Sequence, residues 1–169
     1  NAGQDPFAVT KYDVTHHSTE IKENFEALEE QTVRVAGRLM SKRGMGKVGF
    51  ADLQDGEGRI QLFVKIDEVG KEALDAFKKY DIGDIIGVEG SVFRTKMGEI
   101  SVRAKSIVLL SKSLRPLPEK FHGLTDLETR YRQRYVDLMV NPEVKRNFII
   151  RSQFIKFMRS YLDGMGYIE

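Results

Sequence analysis

"GKVGFADLQDGEGRIQLFV", residues 46–64, reads as two strands folded back through the turn Asp55-Gly56-Glu57-Gly58. Strand alternation puts Ala51 and Leu53 on one face with Ile60, Leu62 and Val64, an apolar set that needs a core. The other face collects Phe50, Asp52, Arg59, Gln61 and Phe63, where a water-facing sheet carries polar side chains. If the turn pairs Leu53 with Ile60, Phe50 faces Phe63 directly and Gln61 diagonally, within about 7–8 Å. Two phenylalanines on the wet side of a hairpin are either covered by another element or offered to a ligand.

Working outward, a strand near 33–43 enters this hairpin through Gly44-Met45-Gly46, followed by strands near 47–54 and 59–66. Residues 67–79 change period, with Val69, Leu74 and Phe77 apolar among Lys and Glu, and predict a helix. Two more strands, near 82–94 and 99–110, are joined by Thr95-Lys96-Met97-Gly98. The order β-β-β-α-β-β predicts a mainly β domain with helices, a five-stranded OB-fold barrel whose strands 2 and 3 form an oligonucleotide-binding face. Before it, Ser18 or Thr19 caps a short helix with Ile21, Phe25 and Leu28 on one stripe, a lid on the barrel.

Leu114-Arg115-Pro116-Leu117-Pro118 cannot continue a strand ladder and reads as a linker. Thr125-Asp126-Leu127-Glu128 then reads as a capping box opening a helix lined by Leu127, Tyr131, Tyr135 and Leu138. Asn141-Pro142 starts another, running to about Asp163 and stopping at Gly164 and Gly166. It is apolar around most of its circumference, which implies burial against further protein, a partner subunit, or both. The expected organisation is an extension and helix over 1–32, the barrel over 33–113, a linker over 114–124 and the start of a second domain over 125–169. Asn1-Ala2-Gly3 and the closing Gly166-Tyr167-Ile168-Glu169 read as boundaries cut from a longer protein.

The 169 residues are 41% hydrophobic and 31% charged, the composition of a folded water-soluble chain. There is no apolar run near the roughly 18 residues of a membrane helix and no secretory signal, so no membrane is expected. The absence of cysteine excludes disulfides and thiolate metal sites and fits a reducing compartment, with the cytoplasm expected. The net charge of +2 is uneven: residues 33–118 carry 16 basic and 11 acidic side chains, against 2 and 7 in residues 1–32. A basic barrel suits phosphates, although a mixed solvated surface has the same composition.

No Gly-rich phosphate loop, dinucleotide fingerprint or nucleophile elbow is present. His16, His17 and His122 lack a metal-binding spacing, and Asp55 and Glu57 serve a turn that favours such residues. The outer hairpin face differs. Phe50 and Phe63, the Gln61 amide and the outward Glu99, Ser101 and Arg103 of the last strand combine a stacking surface, a carboxamide and a basic rim. Such a set receives an unpaired base. Equally, the two rings could lie beneath Ile21 and Phe25 of the first helix.

"RPLPEKFHGLTDLETRYRQRYVDLM", residues 115–139, resembles the class II, bacterial-type lysyl-tRNA synthetases, as do the opening hairpin and "RTKMGEIS". The aspartyl and asparaginyl enzymes share the barrel and a shorter R-Y-x-D-L element, with less of "KFHGL" and "YRQRY". The resemblance implies an anticodon-binding barrel followed by a helical stub of an α+β catalytic domain. It implies that Phe50 stacks on the central uridine of the anticodon, that Arg43 and Gln61 hydrogen-bond to that base, and that Glu99 contacts a flanking uridine. "RSQFIKFMRSYLDGMGYIE" resembles the start of motif 1, which implies a homodimer. ATP and Mg2+ are implied for the whole protein and not for this part, whose sequence lacks motifs 2 and 3, so no residue here is expected to be catalytic. The implied partner is lysine tRNA. An aspartyl- or asparaginyl-tRNA synthetase relative, a general single-strand-binding OB module, or a synthetase homologue that transfers lysine elsewhere stands as the alternative.

Overall fold

Five strands in which apolar residues alternate with polar ones close a sheet on itself in the order β1-β2-β3-β5-β4 in a computed structural model describing residues 5–44, 46–118, 124 and 126–169. The strands are β1 (Thr32–Arg43), β2 (Val48–Gln54), β3 (Arg59–Lys65), β4 (Ile85–Arg94) and β5 (Ile100–Ser111). Between β3 and β4 lie helices α3 (Ile66–Val69) and α4 (Lys71–Lys78); before β1 lie α1 (Ser18–Glu23) and α2 (Phe25–Leu28). This is the predicted barrel order, and β2 pairs with β3 in the expected register, Leu53 opposite Ile60 and Phe50 opposite Phe63.

Closure depends on β1, whose first half pairs with β4 (Thr32 with Ser91 through Arg38 with Ile85) and second half with β2 (Arg38 with Gln54 through Arg43 with Phe50). The strand must bend sharply where it changes partner, and Gly37 permits this, since a Cβ there would lie 2.4 Å from the Gln54 carbonyl oxygen. Gly90 does the same at the β4–β5 bulge, where a Cβ would meet the Arg103 carbonyl oxygen at 2.0 Å. Inside, Leu39, Leu53, Ile60, Leu62, Ile86 and Val88 are buried and the branched side chains fill the barrel.

Both ends are plugged by helices. At one end Leu74 and Phe77 of α4 are fully buried in the core, each removal from water contributing about 1.5–3 kcal/mol. Lys42 closes this end by donating to the carbonyls of Phe77, Lys78 and Tyr80, the last carbonyls of α4 and just beyond it; burial lowers its pKa despite nearby Asp81 and Asp84. The sequence predicts one helix over 67–79, but Gly70, at φ 82°, divides it into α3 and α4. At the β2–β3 turn, Ile21 and Phe25 join the same interior cluster, so α1 and α2 are a plug rather than an external cover.

Asp55 fastens that plug. Its carboxylate accepts from the Ser18 backbone and hydroxyl, both at 2.7 Å, and from the backbones of Glu57 and Gly58 at 2.9 and 2.8 Å. Ser18 is thus spent on Asp55, and His17 becomes the N-cap residue of α1. Burial alone would raise the Asp55 pKa, but these hydrogen bonds outweigh it and hold the group below the usual carboxylate range.

Residues 117–169 form a second compact unit. Its helices are α5 (Leu127–Arg132), α6 (Arg134–Val140) and α7 (Pro142–Gly164). Asp126, accepting from the Thr129 backbone at 2.7 Å, caps α5; Thr125, the predicted first residue of a capping box, lies outside the described residues, as does His122. The continuous helix expected here divides at Gln133. Buried Asp137 gathers Arg130 at 2.9 Å, Asn141 at 2.6 Å and Arg134. Burial would raise its pKa, but these donors bring it down. Phe154, Phe157 and Tyr161 of α7 are about two-thirds exposed, at 60%, 66% and 60%.

Asp55→Ala is expected to cost about 2 kcal/mol in urea unfolding, since charged hydrogen bonds contribute about 1.5–3 kcal/mol each. Because the folded pKa is depressed, the carboxylate's contribution is present above about pH 4 and is lost as the pH falls through the folded value. A wild type and variant equally stable at neutral pH would contradict this role.

Candidate nucleic-acid interface

The outward side chains of the barrel fall into rows set by strand register. One row runs Ser41, Asp52, Gln61, Ser101, Phe93; the next runs Arg43, Phe50, Phe63, Arg103, Ser91. Phe50 and Phe63 are 5.3 Å apart between centroids and tilted by 58°, and Phe93 meets Phe63 edge-on at 5.6 Å. Such pairs each contribute about 0.5–1.5 kcal/mol beyond burial, so three rings form a braced layer. Phe50 keeps part of its surface open to water. The rings are braced by one another, while Ile21 and Phe25 belong to the interior cluster.

Arg43 reaches this face because of a bulge. Leu39 pairs with Leu53, but Ser41 pairs with Asp52, so Met40 is the extra residue and every later side chain of β1 changes side. Were Met40 paired in a regular ladder, Arg43 would fall opposite Gly49 on the inner side; with Met40 bulged out, Arg43 stands opposite Phe50. Its guanidinium lies 3.5 Å from Asp52, whose carboxylate also accepts from the Ser41 hydroxyl.

Gln61 has its amide oxygen occupied by the Ser101 hydroxyl at 3.0 Å, which leaves its NH2 group to donate. Glu99 precedes β5, two residues before Ser101; its carboxylate is half exposed and 3.6 Å from Lys22 of α1. The fold therefore brings Arg43, Phe50 and Gln61 into adjoining rows, with Glu99 beside them. Phe93 escaped notice in the sequence, yet its alternation with buried Val88 and Val92 marks it as outward. The pairing of Ser101 with Gln61 arises from parallel β3–β5 contact, which no local pattern reports. Among the described residues no cluster of three or more His, Cys, Asp or Glu is placed to hold a metal ion, and no helix is long and apolar enough to cross a membrane.

Residues 33–110 match the OB-fold nucleic acid binding domain family, and residues 126–169 match the class II tRNA synthetases of the D, K and N type. The lysine–tRNA ligase of Clostridium perfringens strain 13 is 60% identical over 168 residues, covering 99% of this chain and 34% of the relative. Those of Clostridium tetani and Lysinibacillus sphaericus are each 55% identical, again over 99% of this chain and 33% and 35% of their own lengths. Over its length the chain is homologous to these lysine–tRNA ligases. It spans about a third of the length of the curated relatives it matches. Within the chain, the barrel is the OB-type nucleic-acid-binding part and α5 to α7 fall in the class II synthetase match.

Deleting Met40 is expected to remove the bulge while leaving Ser41, Lys42 and Arg43 opposite Asp52, Ala51 and Phe50, so the chain should still fold cooperatively with Arg43 outward. Thermal unfolding followed by circular dichroism measures this, and loss of the cooperative transition would contradict the assignment.

Proposed function

We propose that the outward face of β2 and β3 seats one unpaired uridine of the lysine tRNA anticodon. The supporting observation is the convergence of a partly open, braced ring at Phe50 with donors from Arg43 and Gln61 beside it. Stacking on an aromatic ring is worth about 1–3 kcal/mol per base. Uracil presents two carbonyl acceptors and one imino donor. Ser101 binds one lone pair of the Gln61 oxygen and so orients the amide, whose NH2 group is offered to a uracil carbonyl. Arg43 donates to the remaining acceptor, and Glu99, acceptor-only when ionised, reads the imino proton of a flanking uridine.

In the whole protein this barrel would select the tRNA for a ligase that joins lysine to ATP as lysyl adenylate and transfers it to the tRNA 3′ end. ATP and Mg2+ would serve that reaction in the whole protein. We take the barrel domain to run over 33–113, after an extension over 1–32 and before a linker over 114–124 and the start of the catalytic domain over 125–169. The exposed rings of α7 fit a helix covered by further protein, including a second subunit.

Phe50→Ala is expected to weaken binding of the isolated lysine anticodon stem-loop by about 1–3 kcal/mol in a titration while leaving the fold intact. Unchanged affinity would remove the stacking role. Gln61→Ala should relax the preference for uridine over cytosine at the central base. Equal losses for both anticodons would point instead to a general single-strand-binding barrel.

A further inference from the structure

The row that carries the stacking surface has a guanidinium at each end: Arg43, Phe50, Phe63, Arg103. The uridine seat uses Arg43 and leaves Arg103 without a task. Arg103 lies over the Phe93 ring, 4.7 Å from its centroid, and Phe93 in turn abuts Phe63. Stacking fixes the plane of the guanidinium and leaves its N–H fork free at the edge, with a third of the side chain exposed. From the segment after α2, the Glu30 carboxylate stands 4.0 Å away, an ion pair too long for a hydrogen bond.

Lys65 follows Phe63 by two residues and points to the same face of β3. It is 41% exposed and 2.7 Å from Asp67, whose hydrogen bond raises its pKa, and it stands two residues beyond Phe63, the register partner of Arg103. Two partly exposed cations on one face beside an aromatic layer attract an anion that approaches it. A nucleotide stacked on Phe50 carries its own anion, the phosphodiester, on the strand that leaves the ring. Arg offers phosphate a planar fork and Lys a point charge, the two usual modes of recognition.

We propose that Arg103 and Lys65 together hold a phosphodiester of the strand whose base rests on Phe50. Glu30 and Asp67 partner these cations in the free protein and yield them to the RNA. The site rests on the uridine seat proposed above, but it reads the backbone and not the base, so it raises affinity without choosing among anticodons.

The test is a fluorescence-anisotropy titration of the chain with lysine anticodon stem-loop RNA between about 50 and 200 mM salt. Each phosphate contact on a single strand contributes about 0.7 to the slope of log affinity against log salt. Arg103→Gln and Lys65→Gln should each flatten that slope by about 0.7 and weaken binding roughly fivefold at 0.1 M salt, equally for matched and altered anticodons. Arg103→Lys should keep the slope, which separates charge from packing on Phe93, and exposed Lys65 gives an arm that does not disturb the rings. Unmoved slopes in both Gln variants, or losses confined to one anticodon, would overturn the proposal. Normal binding by Phe50→Ala beside a flattened Arg103→Gln slope would overturn the uridine seat and leave the phosphate contact standing. A Phe50→Ala loss beside unmoved slopes would do the reverse, and no binding by the wild type would overturn both.

Discussion

The double pairing of β1 is the constraint on which everything else depends. One strand must leave β4, bend at Gly37 and continue along β2, and only then does the sheet close into a barrel with an inside and an outside. Closure removes the sheet edges that invite unspecific pairing and commits each side chain to core or surface. The bulge at Met40 then reverses the commitment for the last residues of the strand. Lys42 turns to the carbonyls at the end of α4, and Arg43 turns out beside Phe50. A single inserted residue thus sends one cation to the end of α4 and the next to the aromatic face.

The second requirement is that an aromatic face remain partly open in water. Three rings pack edge to face, so that each covers part of its neighbour, and charged side chains ring them. The first helices do not cover them, because Asp55 draws Ser18 to the β2–β3 turn and Ile21 and Phe25 enter the barrel end. The same segment sends Lys22 toward Glu99 and Glu30 toward Arg103. The plug therefore sets the charge at the border of the face while keeping off its centre.

Local pattern made the hairpin legible. The pairing of Leu53 with Ile60, the inward apolar set and the outward Phe50 and Gln61 all follow from alternation and a Gly-rich turn. Phe93 was equally readable by the same rule. Arg43 was not, since strict alternation from Leu39 would send it inward, and a bulge leaves no sequence mark as plain as a turn. Resemblance to a family supplied it. Ser101 and Gln61 are 40 residues apart and meet only through tertiary pairing, beyond the reach of any window. The breaks at Gly70 and Gln133 escaped for another reason: apolar spacing continues across both, and local backbone geometry ends the helix.

The most direct measurement of the central claim is an NMR structure-restraint experiment on the chain bound to a lysine anticodon stem-loop with isotope-labelled uridine. The account predicts nuclear Overhauser contacts between the Phe50 ring protons and H5 and H6 of the central uracil. Contacts of that base with another surface of the barrel, and none with Phe50, would contradict it.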